Sequence, residues 1–313
     1  MRITVFGTGA IGSHVAARLA QAGLAEVSVI ARGPQLEAIR ARGITVLAPD
    51  GTFNVRPRAE QDAAALGPQD AVIVTVKAPA VSSVAEAIGP LLGPDTPVVF
   101  IINGIPWWWG EALTTLDPGG VVRARVGLAR SIGGVVWSAC TVTEPGVVKV
   151  QSASSRVIFG ELNNNLSPRI QALAAALEGP GMRGVATRDI RGAIWTKLLN
   201  NLTNGPICLL TRRDMKTTFS DPAILAAAHA VMREGLAIAS ALGHPVPGDP
   251  EAQILRSVTI AHKPSILQDL EAGRALEFEA LLNVPLQLAR EAGVDAPMLE
   301  LLVALARQAT LVE

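Results

Sequence analysis

Apolar positions recur along this chain with two different periods, and the period changes near residue 167. Before it, short β-branched apolar runs return at intervals, at 3–6, 27–31, 71–77 and 98–102. Runs of this length fit strands buried on both faces of a parallel sheet. Between them, 11–22, 35–41 and 80–92 carry the 3.6-residue spacing of helices. This alternation predicts an α/β domain of Rossmann type, with a mostly parallel, doubly wound sheet. One stretch breaks the rhythm: ITVLAPDGTFNVRP, 44–57, places two short runs around Asp50-Gly51 and predicts a hairpin decorating the sheet edge. The Gly-rich, β-branched texture of 121–162 predicts further strands that close the first domain. Beyond 167 the pattern is helical almost throughout, at 170–177, 190–210, 222–242, 250–271, 275–292 and 297–311. Leu242-Gly243-His244-Pro245 and Ala292-Gly293 supply stops. The chain therefore reads as an α/β domain over 1–183 followed by an all-α domain over 184–313.

Composition narrows the class of protein. A length of 313 residues suits two domains, and 49% hydrophobic residues can fill two cores. Lys plus Arg equals Asp plus Glu at 27 each, so no basic surplus points to nucleic acid or anionic lipid. The longest unbroken apolar runs, 71–76 and 97–102, have strand length and fall short of a bilayer span. No basic stretch followed by a long apolar run marks a leader, and the expectation is a cytoplasmic protein without membrane partners. Cys140 and Cys208 form no C-x-x-C pair, and His14, His229, His244 and His262 have no metal-binding spacing. A disulfide scaffold and a metal centre are both disfavoured.

The first chemical signal is Gly7-Thr8-Gly9-Ala10-Ile11-Gly12, set between a predicted strand and a predicted helix. That context is what the G-x-G-x-x-G pattern requires of a dinucleotide site. The first glycine allows a tight turn, the second admits a pyrophosphate, and the third lets helix and strand pack closely. The helix N-terminus then presents free N–H groups and the positive end of its dipole to the anion. Arg32 stands twenty residues after Gly12, at the end of the second strand, where the residue that reads the adenosine ribose belongs. With a guanidinium there and no competing carboxylate, the expected coenzyme is NADP. Lys77 ends the 71–77 run at the carboxyl edge of the sheet, within reach of coenzyme or substrate.

The second signal lies at the start of the helical part. On a helix, Lys197, Asn201 and Asn204 occupy i, i+4 and i+7 and share one face. An ammonium and two carboxamides in an otherwise apolar segment either face solvent or line a site. Three asparagines between 200 and 204 favour the site, because asparagine is a mediocre helix former. Asn103 follows the 98–102 strand and precedes Gly104, so it serves either as a turn former or as a polar group near nicotinamide. Ser265 reads as a helix cap and Glu277 as an ordinary helix residue on composition alone. Trp107-Trp108-Trp109 fits either core packing or the mouth of a substrate site.

GTGAIG at the start, VTVKAPAV at 74–81, INGIP at 102–106, WTKLLNNLTNGP at 195–206 and KPSILQDLEAGRALEFE at 263–279 occur in the order and spacing of the ketopantoate reductase family. The chain resembles that family over nearly its whole length. The resemblance implies a Rossmann-type domain, a helical domain, an active site between them, and NADPH-dependent reduction of 2-dehydropantoate to pantoate. Lys197 matches the catalytic lysine and Glu277 the acidic residue of the R-x-x-E pattern. Asn103 matches the asparagine near nicotinamide and substrate. Asn201 and Ser265 match substrate-binding residues, Asn204 stands beside them, and Lys77 matches a lysine beside the coenzyme. The family usually reads Asn-Pro where this chain reads Gly205-Pro206, and its authentic pantoate enzymes tend to read T-E-I-D where it reads Leu276-Glu277-Phe278-Glu279. These departures bear on the substrate more than on the reaction. Three other readings stay open: a paralogue acting on another branched or aromatic 2-oxo acid, an opine-type dehydrogenase, and a regulator that binds NADP without turnover. The apolar helical domain is also compatible with a homodimer.

Overall fold

The β-branched runs form the strands they suggest, beginning with β1 (Arg2–Phe6), β2 (Glu26–Ile30), β6 (Ala71–Val74) and β7 (Val98–Ile101). β1 lies between β2 and β6 in parallel register, with Val5 opposite Val29 on one side and Ile73 on the other. All three of these side chains are fully buried, as strands covered on both faces require. With β5 (Arg58–Glu60), β8 (Ser131–Trp137), β11 (Ser155–Glu161) and β12 (Met182–Thr187), they build an eight-stranded sheet. Its order is β12-β11-β8-β7-β6-β1-β2-β5, and only the β11–β8 pair is antiparallel. The computed structural model describes residues 1–249, 252, 254, 255 and 259–311. It comprises two units, Met1–Ile102 with Pro106–Ile190, and Asn103–Ile105 with Arg191–Glu313. A division at 183/184 would cut β12, which pairs with β11 from Met182 to Thr187.

The 44–57 hairpin forms as β3 (Ile44–Ala48) and β4 (Gly51–Val55), but it does not decorate the main sheet. β5 holds that edge, and the hairpin joins β9 (Cys140–Glu144) and β10 (Val147–Val150) in a second sheet ordered β4-β3-β10-β9. The reason lies in α1 (Ala10–Ala22), on which every residue from Gly12 to Leu19 is buried. A helix buried on all sides needs cover on its outer face as well. α1 touches β1 and β2 on one side, and β3, β4, β9 and β10 on the other. Arg18 fastens this second layer. Its guanidinium bonds both oxygens of Asp50 at 2.6 and 2.8 Å and the Pro180 carbonyl at 2.9 Å, and lies 4.6 Å from the Phe53 ring centroid. Arg18 Nε also donates to His14 Nε2 at 3.3 Å, leaving Nδ1 to donate to Ser138 Oγ at 3.2 Å. Burial and the neighbouring guanidinium lower the His14 pKa to about 4.

Other elements depart from the sequence pattern. The 121–125 segment forms helix α4 (Val121–Arg125) rather than strand. The 80–92 helix is reduced to α3 (Val81–Ala87) with 3₁₀ turns at each end, the second held by Gly89-Pro90. α2 (Gly33–Arg42) and α5 (Pro168–Ala176) complete this unit.

The second unit is helical. α6 (Ile190–Thr211) carries Pro206 in its interior, followed by α7 (Met215–Thr218) and α8 (Pro222–Ala241). The predicted 250–271 helix falls partly outside the described residues. Within them Ala252, Ile254 and Leu255 are helical, Thr259–Pro264 is not, and a further helix spans Ser265–Glu271. The 275–292 helix starts late, with a π-helical turn at Glu279–Asn283 leading into Val284–Glu291. Pro297–Leu311 forms as read. Its first-turn amides at Met298 and Leu299 donate to the Glu234 carboxylate of α8 at 2.9 and 2.7 Å, an N-terminal cap supplied by a distant helix. By length and composition, α8 is also long and apolar enough to cross a membrane. Reading unbroken apolar runs did not show this, because Arg233 and Glu234 interrupt the pattern. A core helix passes the same test, and Val231, Met232 and Ile238 of α8 are buried.

Candidate active site

In the first unit, the three glycines that run from the end of β1 into α1 occupy three different surroundings. Gly7 has φ +99°, and a Cβ on it would stand 2.7 Å from Val76 Cγ1. A Cβ on Gly12 would fall 1.9 Å from the Gly7 carbonyl oxygen and 2.4 Å from Thr75 Oγ1. Around Gly9 a Cβ would meet nothing within 4 Å. The first glycine is thus demanded by the turn, the third by close packing, and the second leaves open space at the helix N-terminus. Gly9 is the N-cap of α1 and offers no capping side chain. Thr8, Ala10 and Ile11 complete this loop, whose backbone amides can serve an anion. The residues present therefore fit a dinucleotide pyrophosphate.

Arg32 is the N-cap residue of α2; its side chain is exposed and has no hydrogen-bond or ion-pair partner among the described residues. Lys77 caps the 3₁₀ turn Ala78–Ala80 at the carboxyl end of β6. Two of the three consecutive tryptophans at 107–109 are core residues. Trp107 packs edge-on against Phe100 with centroids 5.5 Å apart, and Trp108 fills the space over Gly133. Trp109 is half-buried and stacks on Trp108.

The second unit holds a chain of polar contacts among three of the singled-out residues. Lys197 Nζ donates to Asn103 Oδ1 at 2.7 Å, and Asn103 Nδ2 donates to Glu277 Oε2 at 3.2 Å. An amide carries one acceptor and one donor end, so a single asparagine can bridge an ammonium and a carboxylate. Glu277 is 5% exposed and precedes the helical turn, so it is no ordinary surface helix residue. The Asn103 loop is fixed from the same side. Ile105 N donates to the Ala280 carbonyl at 2.8 Å, and Gly104 has φ +80° with room for no Cβ, which would stand 2.2 Å from that carbonyl oxygen. The carbonyl belongs to the π-helical turn, a distortion common at functional sites.

Asn201 and Asn204 share the α6 face with Lys197, as the spacing requires. Asn201 is half-buried; Asn204 is 7% exposed, and its Oδ1 has no hydrogen-bond partner among the described residues. Ser265 does not cap its helix. Pro264 takes that position, and Ser265 lies exposed in the first turn. Arg274 Nε pairs with the buried Asp269 at 3.0 Å, closing the loop that leads to Glu277. Sequence reading missed Gln35, Thr75 and the Ala280 carbonyl, all of which act through contacts distant in the chain. Thr75 Oγ1 bonds the Gly7 carbonyl at 2.7 Å. Only the glycine at 104, following a candidate site asparagine, gave a hint of close backbone approach.

Comparison with known proteins agrees over both units. Residues 3–164 match the family model for ketopantoate reductase PanE/ApbA, and residues 189–310 match its C-terminal counterpart. A 2-dehydropantoate 2-reductase of Mesorhizobium japonicum is 37% identical, covering 98% of this chain and 97% of that protein. Among solved structures, the 2-dehydropantoate 2-reductase from Methylococcus capsulatus is 31% identical with TM-score 0.83, covering 100% of this chain and 97% of that one. The one from Geobacter metallireducens is 30% identical with TM-score 0.86, covering 99% and 100%.

Proposed function

Because this chain belongs to the ketopantoate reductase family of oxidoreductases, we propose that it reduces 2-dehydropantoate to (R)-pantoate with NADPH, Lys197 acting as general acid. The observation that carries this reading is the Lys197–Asn103–Glu277 chain of hydrogen bonds. When bound, the coenzyme supplies a hydride to the ketone carbon. Negative charge then develops on the former carbonyl oxygen, which needs a cation and a proton. Lys197 Nζ offers both: the ammonium stabilises the charge, and an N–H proton passes to the oxygen. Asn103 holds the amine through its Oδ1 and aims its hydrogens, while Glu277 fixes the amide and balances the ammonium charge. Asn201, Asn204 and Ser265 bind polar groups of the substrate. In the first unit, Gly7 to Gly12 bind the pyrophosphate, with Lys77 beside the coenzyme and Arg32 pairing with the 2′-phosphate.

The reading is tested by following NADPH consumption with 2-dehydropantoate beside a panel of branched and aromatic 2-oxo acids. 2-Dehydropantoate should give the highest kcat/KM. A higher value for an aromatic acid would replace the substrate but keep the chemistry, and no turnover with any oxo acid would reject the enzyme reading. Arg32→Ala should weaken NADPH binding on the order of tenfold or more and leave NADH binding little changed. Equal loss for both coenzymes would contradict the assignment of Arg32.

A further inference from the structure

Gln35 lies on the first turn of α2 and reaches back to the glycine loop. Its Nε2 donates to the Thr8 carbonyl at 2.9 Å and to Ser13 Oγ at 3.1 Å. The Ser13 hydroxyl in turn donates to the same Thr8 carbonyl at 3.0 Å. Gln35 Oε1 accepts from Gly146 N at 3.0 Å, in the turn between β9 and β10. Every hydrogen of the Gln35 amide is thereby used, and the Thr8 oxygen receives two donors.

We propose that Gln35, with Ser13, is a positioning residue that orients the Gly9 amide toward the coenzyme pyrophosphate. The peptide joining Thr8 to Gly9 is planar and trans, so its C=O and N–H point in opposite directions. Two donors on the inner side hold the carbonyl inward. The Gly9 N–H is therefore held outward, on the residue around which a Cβ would meet nothing within 4 Å. Gly9 has no side chain to stabilise the loop itself, so the orientation must come from elsewhere. Gln35 supplies it from the first turn of α2, which begins just after Arg32. The link to Gly146 anchors the glutamine against the second sheet. This inference rests on the dinucleotide reading of the loop and not on the preference for NADP.

The test replaces Gln35 by methionine, which keeps the length of the side chain and removes its polar ends, and titrates the purified enzyme with NADPH and with NADH by fluorescence. Both dissociation constants should rise by about tenfold, their ratio should stay as in the wild type, and KM for the oxo acid at saturating coenzyme should not move. A purely structural role would lower stability without this selective loss. Unchanged dissociation constants in folded Gln35→Met would overturn the proposal. Should that variant fail to fold, Ser13→Ala removes one of the two Thr8 donors and is read the same way, with a smaller rise of about threefold expected. The outcome is distinct from that of Arg32→Ala, which changes the ratio of the two coenzymes. If Gln35→Met binds both coenzymes as wild type does while Arg32→Ala still shifts the ratio, the coenzyme reading survives and the role of Gln35 does not.

Discussion

A single imidazole shows how environment sets chemistry in this protein. His14 is buried on α1, accepts from Arg18 at Nε2, and has its pKa lowered to about 4. In the unfolded chain it titrates near its ordinary value of about 6.5. Between these values the unfolded state takes up a proton that the folded state refuses, so stability falls as pH falls. The contribution is fully present above about pH 6.5 and is lost as pH drops through about 4, with a slope of roughly 1.4 kcal/mol per pH unit in that window. His14→Gln should flatten the decline in Tm between pH 7 and pH 5. His262, also lowered by burial, leaves part of the slope in place. An undiminished slope in the variant would mean that His14 is not held neutral. The sequence placed His14 on α1 but could not show its neighbours, because Asp50 and Ser138 are 36 and 124 positions away.

Elements were legible where their period was undisturbed. α1, α6 and the Pro297–Leu311 helix appear where the apolar spacing put them, and so do β1, β2, β6 and β7. The hairpin was legible as a hairpin, yet its sheet was not, because pairing of β3 with β10 joins residues about a hundred positions apart. The late start of the Glu277 helix was hidden for a similar reason. Ala275 and Leu276 suit a helix, but the turn that follows is shaped by the Asn103–Ile105 loop docked on the Ala280 carbonyl. That docking yields a prediction at this scale. In Gly104→Ala the new Cβ would collide with the Ala280 carbonyl, and φ +80° is strained for alanine. The variant should lose on the order of 2–4 kcal/mol of stability, together with most of its activity, since Asn103 moves with the loop. A denaturation midpoint and turnover both near wild type would show that the loop does not depend on this contact.

For the molecule as a whole, family motifs carried the identification and physics carried the arrangement within each unit. The geometry of the glycine loop could be read, with a turn at Gly7, open space at Gly9 and close packing at Gly12. The lysine face of α6 could be read as a face. What the sequence could not supply was the partner of that lysine, since Asn103 lies 94 residues away and belongs with the helical unit rather than with the sheet it follows. On the proposed reading, the first unit holds the coenzyme and the second supplies the proton. The most direct test compares Lys197→Ala with the wild type, measuring turnover at saturating NADPH and oxo acid alongside the NADPH dissociation constant. The account predicts a fall in kcat of about a hundredfold or more with the dissociation constant unchanged. Turnover close to wild type would contradict it.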